Sequence, residues 1–126
     1  MLLREPTAAS IVRFGLFQFD LSSRELWKQG IPVRFTDQPS RILAHLLRQP
    51  GEVITREELR QALWASETHV NYEQGLNAAV KRLRHALVDA PENPRFIETI
   101  ARRGYRFIAP VTPPQNAGDS ARSPLD

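Results

Sequence analysis

Cysteine is absent from the 126 residues of this chain, which excludes disulfide staples and any zinc site built on thiolates. No apolar run approaches the roughly 18–20 residues of a membrane-crossing helix, and Met1-Leu2-Leu3-Arg4 is too short for a signal peptide. There is no glycine-rich phosphate loop, no Ser or Cys motif with a partner base, and no pair of histidines at metal-ligand spacing. Neither catalysis, nor a cofactor, nor a metal is therefore expected, and as given the chain is expected in the cytoplasm. Excess charge is also scarce. The net value is +3, too small by itself to favour a polyanion.

The placement of that charge says more than its size. Between Val70 and Ala109 stand Lys81, Arg82, Arg84, Arg95, Arg102, Arg103 and Arg106, against Glu73, Asp89, Glu92 and Glu98. This one segment carries the whole positive excess. The rest of the composition, 41% hydrophobic with a mean hydropathy of −0.39, is that of a soluble chain long enough to bury one real core.

Along the chain, residues 1–10 lack periodicity and read as a flexible N-terminal arm. A domain is expected over 11–111, and 112–126 reads as a Pro-rich disordered tail or linker, because Pro113-Pro114-Gln115-Asn116-Ala117-Gly118-Asp119-Ser120 has no apolar surface to bury. Within the domain, Ile11–Asp20 reads as a first strand, with Val12, Phe14 and Leu16 alternating. Glu25–Gln29 and Pro32–Phe35 flank Gly30 as a hairpin. So thin a sheet needs a helix to cover one face. Pro39–Arg48 supplies a helix with Ile42, Leu43, Leu46 and Leu47 as its stripe, ended by Pro50-Gly51. Thr55-Arg56-Glu57-Glu58 is a capping box opening a second helix through Leu59, Leu63 and Trp64. The adjacent carboxylates Glu57 and Glu58 are explained by capping and the helix dipole, and Trp27, Trp64 and His45 are read as packing residues. A third helix runs from about Asn71 to Val88, followed by a hairpin over 96–109. The fold class is α+β: a winged helix-turn-helix with a small N-terminal antiparallel sheet, three helices and a C-terminal β-hairpin wing.

The third helix is amphipathic. Leu76, Val80, Leu83 and Leu87 recur at helical spacing with Ala79 beside them, while Gln74, Ala78, Lys81 and His85 line the opposite face and Asn77 and Arg82 its flanks. Such a face fits a DNA major groove, where Asn or Gln pairs with adenine and Lys or Arg with guanine; it is equally a plain solvated face. Gly75 implies an irregular helix start or a close approach of backbone to DNA. At the wing, Arg102 and Arg103 sit on the turn before Gly104, whose freedom at positive φ suits a tight turn. Both side chains are expected to project from the tip, towards a minor groove or simply into water. Thr99 and Tyr105 have hydroxyls to offer a phosphate, with packing the alternative for Tyr105.

These motifs resemble the OmpR/PhoB-type DNA-binding output domain of transcriptional regulators. The likeness is carried by Phe14-Gly15-Leu16-Phe17-Gln18-Phe19-Asp20, Thr55-Arg56-Glu57-Glu58-Leu59, Leu63-Trp64, Val80-Lys81-Arg82-Leu83-Arg84 and Gly104-Tyr105-Arg106-Phe107. It covers about Val12 to Val111, and GLNAAVKRLR and RRGYRFIAPV are most similar to the branch joined to sensor or repeat regions. The resemblance implies sequence-specific binding of double-stranded DNA, with helix 71–88 in the major groove and wing 96–109 at the minor groove. Its contact positions fall on Gln74, Asn77, Lys81, Arg82 and Arg84 and on a wing-tip arginine, for which Arg102 is favoured over Arg103. It also implies a polymerase-facing loop over Ala65–Val70 and tandem homodimers on DNA. Gly75, Ala79 and Ala101 depart from the pattern by standing where relatives carry polar or basic residues. No acidic phosphoacceptor pocket precedes Phe14, so phosphorylation of this chain is not expected. Two other readings stay open: a winged-helix protein-interaction module, and, more distantly, an RNA binder, although the aromatic residues are spent on the core pattern.

Overall fold

The computed structural model describes residues 10–65 and 72–114. These form two compact units, one over residues up to Val33 together with Pro110 onwards, the other over Arg34–Ala109. Residues 1–9 of the expected arm, and all of the expected tail beyond Pro114, lie outside the described residues.

The first unit is a four-stranded antiparallel meander in the order β1 (Ile11–Phe14), β2 (Phe17–Asp20), β3 (Leu26–Lys28) and β4 (Ile31–Val33). The single strand expected over Ile11–Asp20 is two. Buried positions fall at Val12 and Phe14 and then at Phe17 and Phe19, a change of phase that a continuous strand cannot make, because side chains alternate with period two. A turn at Gly15-Leu16 absorbs the shift, leaving Leu16 56% exposed. Pairing of Val12 with Phe19 and of Phe14 with Phe17 then puts all four on one face, with the Phe14 and Phe17 rings stacked at 5.4 Å. The buried Asp20 carboxylate accepts from the N–H groups of Ser22 (2.8 Å) and Ser23 (3.3 Å), shaping the next turn. The expected hairpin forms with Gln29 in its turn and not in the strand; Gln29 and Gly30 both take positive φ (52° and 83°), as a two-residue turn requires. Pro32 lies in edge strand β4, opposite Trp27. Thr112 exchanges two backbone hydrogen bonds with Arg13 of β1, so ordered pairing continues past the boundary expected at 111.

In the second unit, α1 (Asp37–Arg48) follows its N-cap Thr36, with Pro39 in the first turn, where a missing N–H costs nothing. Its stripe of Ile42, Leu43, Leu46 and Leu47 is buried and packs on α2 (Arg56–Trp64), α3 (Tyr72–Leu87) and the last strand. Burial lowers the pKa of the partly buried His45, assisted by the charge of Arg48. The capping box forms as expected: Glu58 N–H donates to Thr55 Oγ1 at 3.0 Å and Thr55 N–H to Glu58 Oε1 at 2.8 Å.

One strand went unforeseen. β5 (Val53–Thr55) pairs antiparallel with β7 (Gly104–Phe107), which also pairs with β6 (Ile97–Ile100), so the wing belongs to a three-stranded sheet ordered β5-β7-β6. That arrangement also corrects the reason for Gly104. Positive φ falls on Arg102 (68°), not on Gly104. Glycine is needed at 104 for space: a Cβ there would stand 2.0 Å from the Ile54 carbonyl oxygen and 2.8 Å from Thr55 Cα.

α3 ends in paired bonds from Val88 N–H to the His85 carbonyl and from Asp89 N–H to the Arg84 carbonyl, the pattern of a Schellman cap. The left-handed residue of that cap is Val88, at φ 55° and 64% exposed, a conformation that L residues, and β-branched ones above all, adopt at a cost. Val88→Gly is expected to stabilise the fold by about 1 kcal/mol. Gly104→Ala is expected to destabilise it by about 2–3 kcal/mol, since backbone atoms must move. Urea denaturation midpoints at unchanged slope check both.

Candidate nucleic-acid interface

α2 and α3 are in contact, and Gly75 makes their approach close. A Cβ at 75 would meet two carbon atoms of the Trp64 indole at 3.0 Å. Gly75 therefore sits inside a regular helix that begins by Tyr72 and serves indole packing, not an irregular start. Trp64 is buried as expected, while Trp27 is only half-buried. Leu76, Ala79, Val80, Leu83 and Leu87 are all buried, so α3 is held by one face and presents the other. On that other face Gln74, Asn77, Ala78, Lys81, Arg82 and His85 are exposed. A groove of about 1090 Å³, bordered by Arg34, Thr36, Asn77, Lys81, Arg82 and His85, runs along this face.

The basic residues of this unit divide by what they touch. Arg41 pairs with Asp37 at 2.8 Å, Arg60 with Glu57, and Arg106 with Glu98 at 2.5 Å. The Arg60 guanidinium, and then Gln61, hold the exposed Glu57 carboxyl at about 2, below its usual 4.5. That depressed value makes the contribution of the pair complete above the ordinary carboxylate range, and lost as pH falls towards 2. By contrast, Lys81, Arg82, Arg102 and Arg103 form no ion pair among the described residues. All four are exposed, two on α3 and two on the wing turn.

Arg84 departs from expectation. It is 9% exposed, and its Nη2 donates to the Ile97 carbonyl at 3.0 Å and to Thr99 Oγ1 at 2.7 Å. Position 84 lies one turn beyond Val80, on the side of α3 that faces the wing sheet, so its cation joins helix to sheet and is not displayed. Its Nε is buried without a partner among the described residues, a cost borne inside the fold. Thr99 itself is exposed, with its hydroxyl oxygen engaged by Arg84. Tyr105 is 4% exposed, and its hydroxyl accepts from Arg56 Nη1 at 2.9 Å. Packing, the alternative held open for Tyr105, is what the structure shows.

Arg56 was missed by sequence reasoning, being read only as part of the capping box. Its Nη2 donates to Asn77 Oδ1 at 3.2 Å, its guanidinium lies 5.9 Å from the Tyr105 ring centroid, and its backbone N–H donates to the Arg103 carbonyl at 2.9 Å. One residue thus joins the start of α2 to α3 and to the wing. At the wing tip, Arg103 N–H closes the turn onto the Ile100 carbonyl at 2.9 Å, with residues 101–103 exposed. Asn71 and residues 66–70 of the loop expected to face a polymerase lie outside the described residues.

Comparison with known proteins gives this geometry a family. A family profile described as "Transcriptional regulatory protein, C terminal" matches residues 30–107. The chain is 36% identical over 98 residues to a cholera toxin homolog transcriptional activator of Vibrio parahaemolyticus, covering 75% of this chain and 34% of that protein. It is 31% identical over 97 residues to the transcriptional regulatory protein AfsQ1 of Streptomyces coelicolor, covering 77% of this chain and 43% of that protein. The chain thus spans less than half the length of these curated relatives. Among solved structures, the Klebsiella pneumoniae RstA DNA-binding domain in complex with the RstA box aligns with a TM-score of 0.67 at 26% identity, covering 78% of this chain and 96% of that one. The response regulator DrrB, an OmpR/PhoB homolog of Thermotoga maritima, aligns at 0.69 and 30% identity, covering 79% of this chain and 44% of that one.

The division of the cations has a direct consequence for stability. Arg84→Ala is expected to destabilise by about 2 kcal/mol, because it removes a buried guanidinium and strands its carbonyl acceptor. Lys81→Ala is expected to change stability by less than about 0.5 kcal/mol. Thermal and urea unfolding of the two variants separate these outcomes.

Proposed function

The chain belongs to the family of transcriptional regulatory protein C-terminal domains, and we propose on that premise that it regulates transcription by binding double-stranded DNA sequence-specifically. In this reading α3 enters the major groove and the wing lies at the adjacent minor groove. The observation that carries it is the placement of Lys81, Arg82, Arg102 and Arg103: four exposed cations without ion pairs among the described residues, on two elements that Arg56 joins. The likeness to a domain solved in complex with its DNA box supports it. Gln74, Asn77 and Lys81 read base edges, while Arg82, Thr99 and the wing arginines meet the backbone or the minor groove. Arg84 and Tyr105 act from beneath, by holding Thr99 and Arg56. A cytoplasmic location extends the same reading, while contact with RNA polymerase and a tandem homodimer on DNA rest on the resemblance alone.

The protein-interaction alternative would not need these cations on neighbouring elements, and salt separates the two. Four phosphate neutralisations correspond to a log–log slope of about −3 to −4, and each alanine replacement of a phosphate-contacting arginine flattens it by about 0.9. An affinity that hardly changes with salt overturns the DNA reading. Lys81→Ala is expected to weaken the best site by about 1–3 kcal/mol while leaving random DNA much less affected. Equal losses on both would restrict Lys81 to the backbone. Arg102→Ala and Arg103→Ala are expected to differ on A·T-rich flanks, the variant lacking the inserted arginine losing its preference for them.

A further inference from the structure

The amide of Asn77 is not free to choose its partner. Its Oδ1 accepts from Arg56 Nη2 at 3.2 Å, while Nη1 of the same guanidinium donates to the Tyr105 hydroxyl at 2.9 Å. Tyr105 is buried, and Arg56 is also fixed at its backbone by the Arg103 carbonyl. The cation that engages Asn77 is therefore anchored at two further points. An unrestrained asparagine reads adenine with both ends of its amide, Oδ1 accepting from N6–H and Nδ2 donating to N7. That bond holds one of the two Oδ1 lone pairs and weakens Asn77 as an acceptor for adenine N6–H, while both N–H groups of Nδ2 remain; these match acceptors: guanine O6 and N7, adenine N7, or thymine O4.

We propose that Arg56 is a specificity-determining positioning residue: by holding one lone pair of Asn77 Oδ1 it makes Asn77 a better donor than acceptor, which biases the contacted base away from adenine and towards guanine. This rests on the DNA-binding reading above and adds to it a residue outside the recognition helix. Arg56 acts through the amide of Asn77 and not by touching the base. Its removal should change which base is preferred, whereas loss of a phosphate contact or a general loosening of the fold would weaken every site alike.

The test is selection of bound duplexes from a randomised library at fixed salt, with the whole chain as wild type, Arg56→Ala, Tyr105→Phe, Asn77→Ala and Arg56→Ala/Asn77→Ala, each checked for folding by thermal unfolding. Tyr105→Phe keeps the buried ring and removes only the anchoring hydroxyl, so it serves if Arg56→Ala folds poorly. The expected result is one position at which Arg56→Ala shifts the guanine-to-adenine ratio towards adenine by about tenfold, and Tyr105→Phe shifts it the same way by less. Preference at that position should vanish in Asn77→Ala and be no different in the double variant. A uniform loss across all positions, or a shift that survives Asn77→Ala, overturns the inference while leaving DNA binding intact. A wild type that selects no sequence overturns the DNA reading itself, and this inference with it.

Discussion

Everything at the proposed interface depends on how closely two backbones approach at Gly104. Without a side chain there, β7 lies against the Ile54 carbonyl and Thr55 Cα, and Thr55 is both the end of β5 and the N-cap of α2. The next residue, Arg56, then has its N–H within reach of the wing turn and its guanidinium within reach of α3. The two elements that meet separate parts of a duplex in the proposed function are thus registered, through the start of α2, by contacts within a few residues. A shift of β7 to admit a methyl group would be felt at the helix cap, at Arg56 and at Asn77 together.

The electrostatics follow the same logic of assignment. Some arginines are used internally, Arg84 to bind α3 to β6 and Arg106 to bridge the wing strands through Glu98. Others are left for a partner. Counting Lys and Arg along the chain would put Arg84 and Arg82 together, yet they point to different tasks because helical geometry separates them by 200°. Net charge is accordingly a poor guide here, and the pairing of each cation is a better one.

Much of this was legible before any coordinates. The three helices, the capping box and the wing rest on periodicities and local turn chemistry that tertiary contacts reinforce, and the exposed positions of Gln74, Asn77, Lys81 and Arg82 follow from the apolar stripe of α3. What escaped was decided by distant neighbours. β5 is three residues long and exists because β7 pairs with it. Sequence alone reads Gly75 as an irregular helix start or a close approach to DNA and Gly104 as a turn residue, whereas the Trp64 indole and the Ile54 carbonyl are what a side chain at each would meet. Arg84 sits at a stripe-adjacent position where its long stem could reach either water or the sheet, and sequence spacing cannot choose. The break at Gly15-Leu16 was within reach, since the buried phase changes there from even to odd residues.

Pro32 in β4 and Thr112 beside β1 have a bearing on how this protein keeps to itself. A sheet edge ordinarily offers a row of free donors and acceptors to any other strand, including one from a second copy. At one margin of the N-terminal sheet the proline lacks the donor such pairing would need, and at the other the chain's own Thr112 already occupies Arg13. Both margins are thereby poor templates for strand addition. A second copy meeting this sheet is steered away from open-ended β association and towards contacts made by side chains.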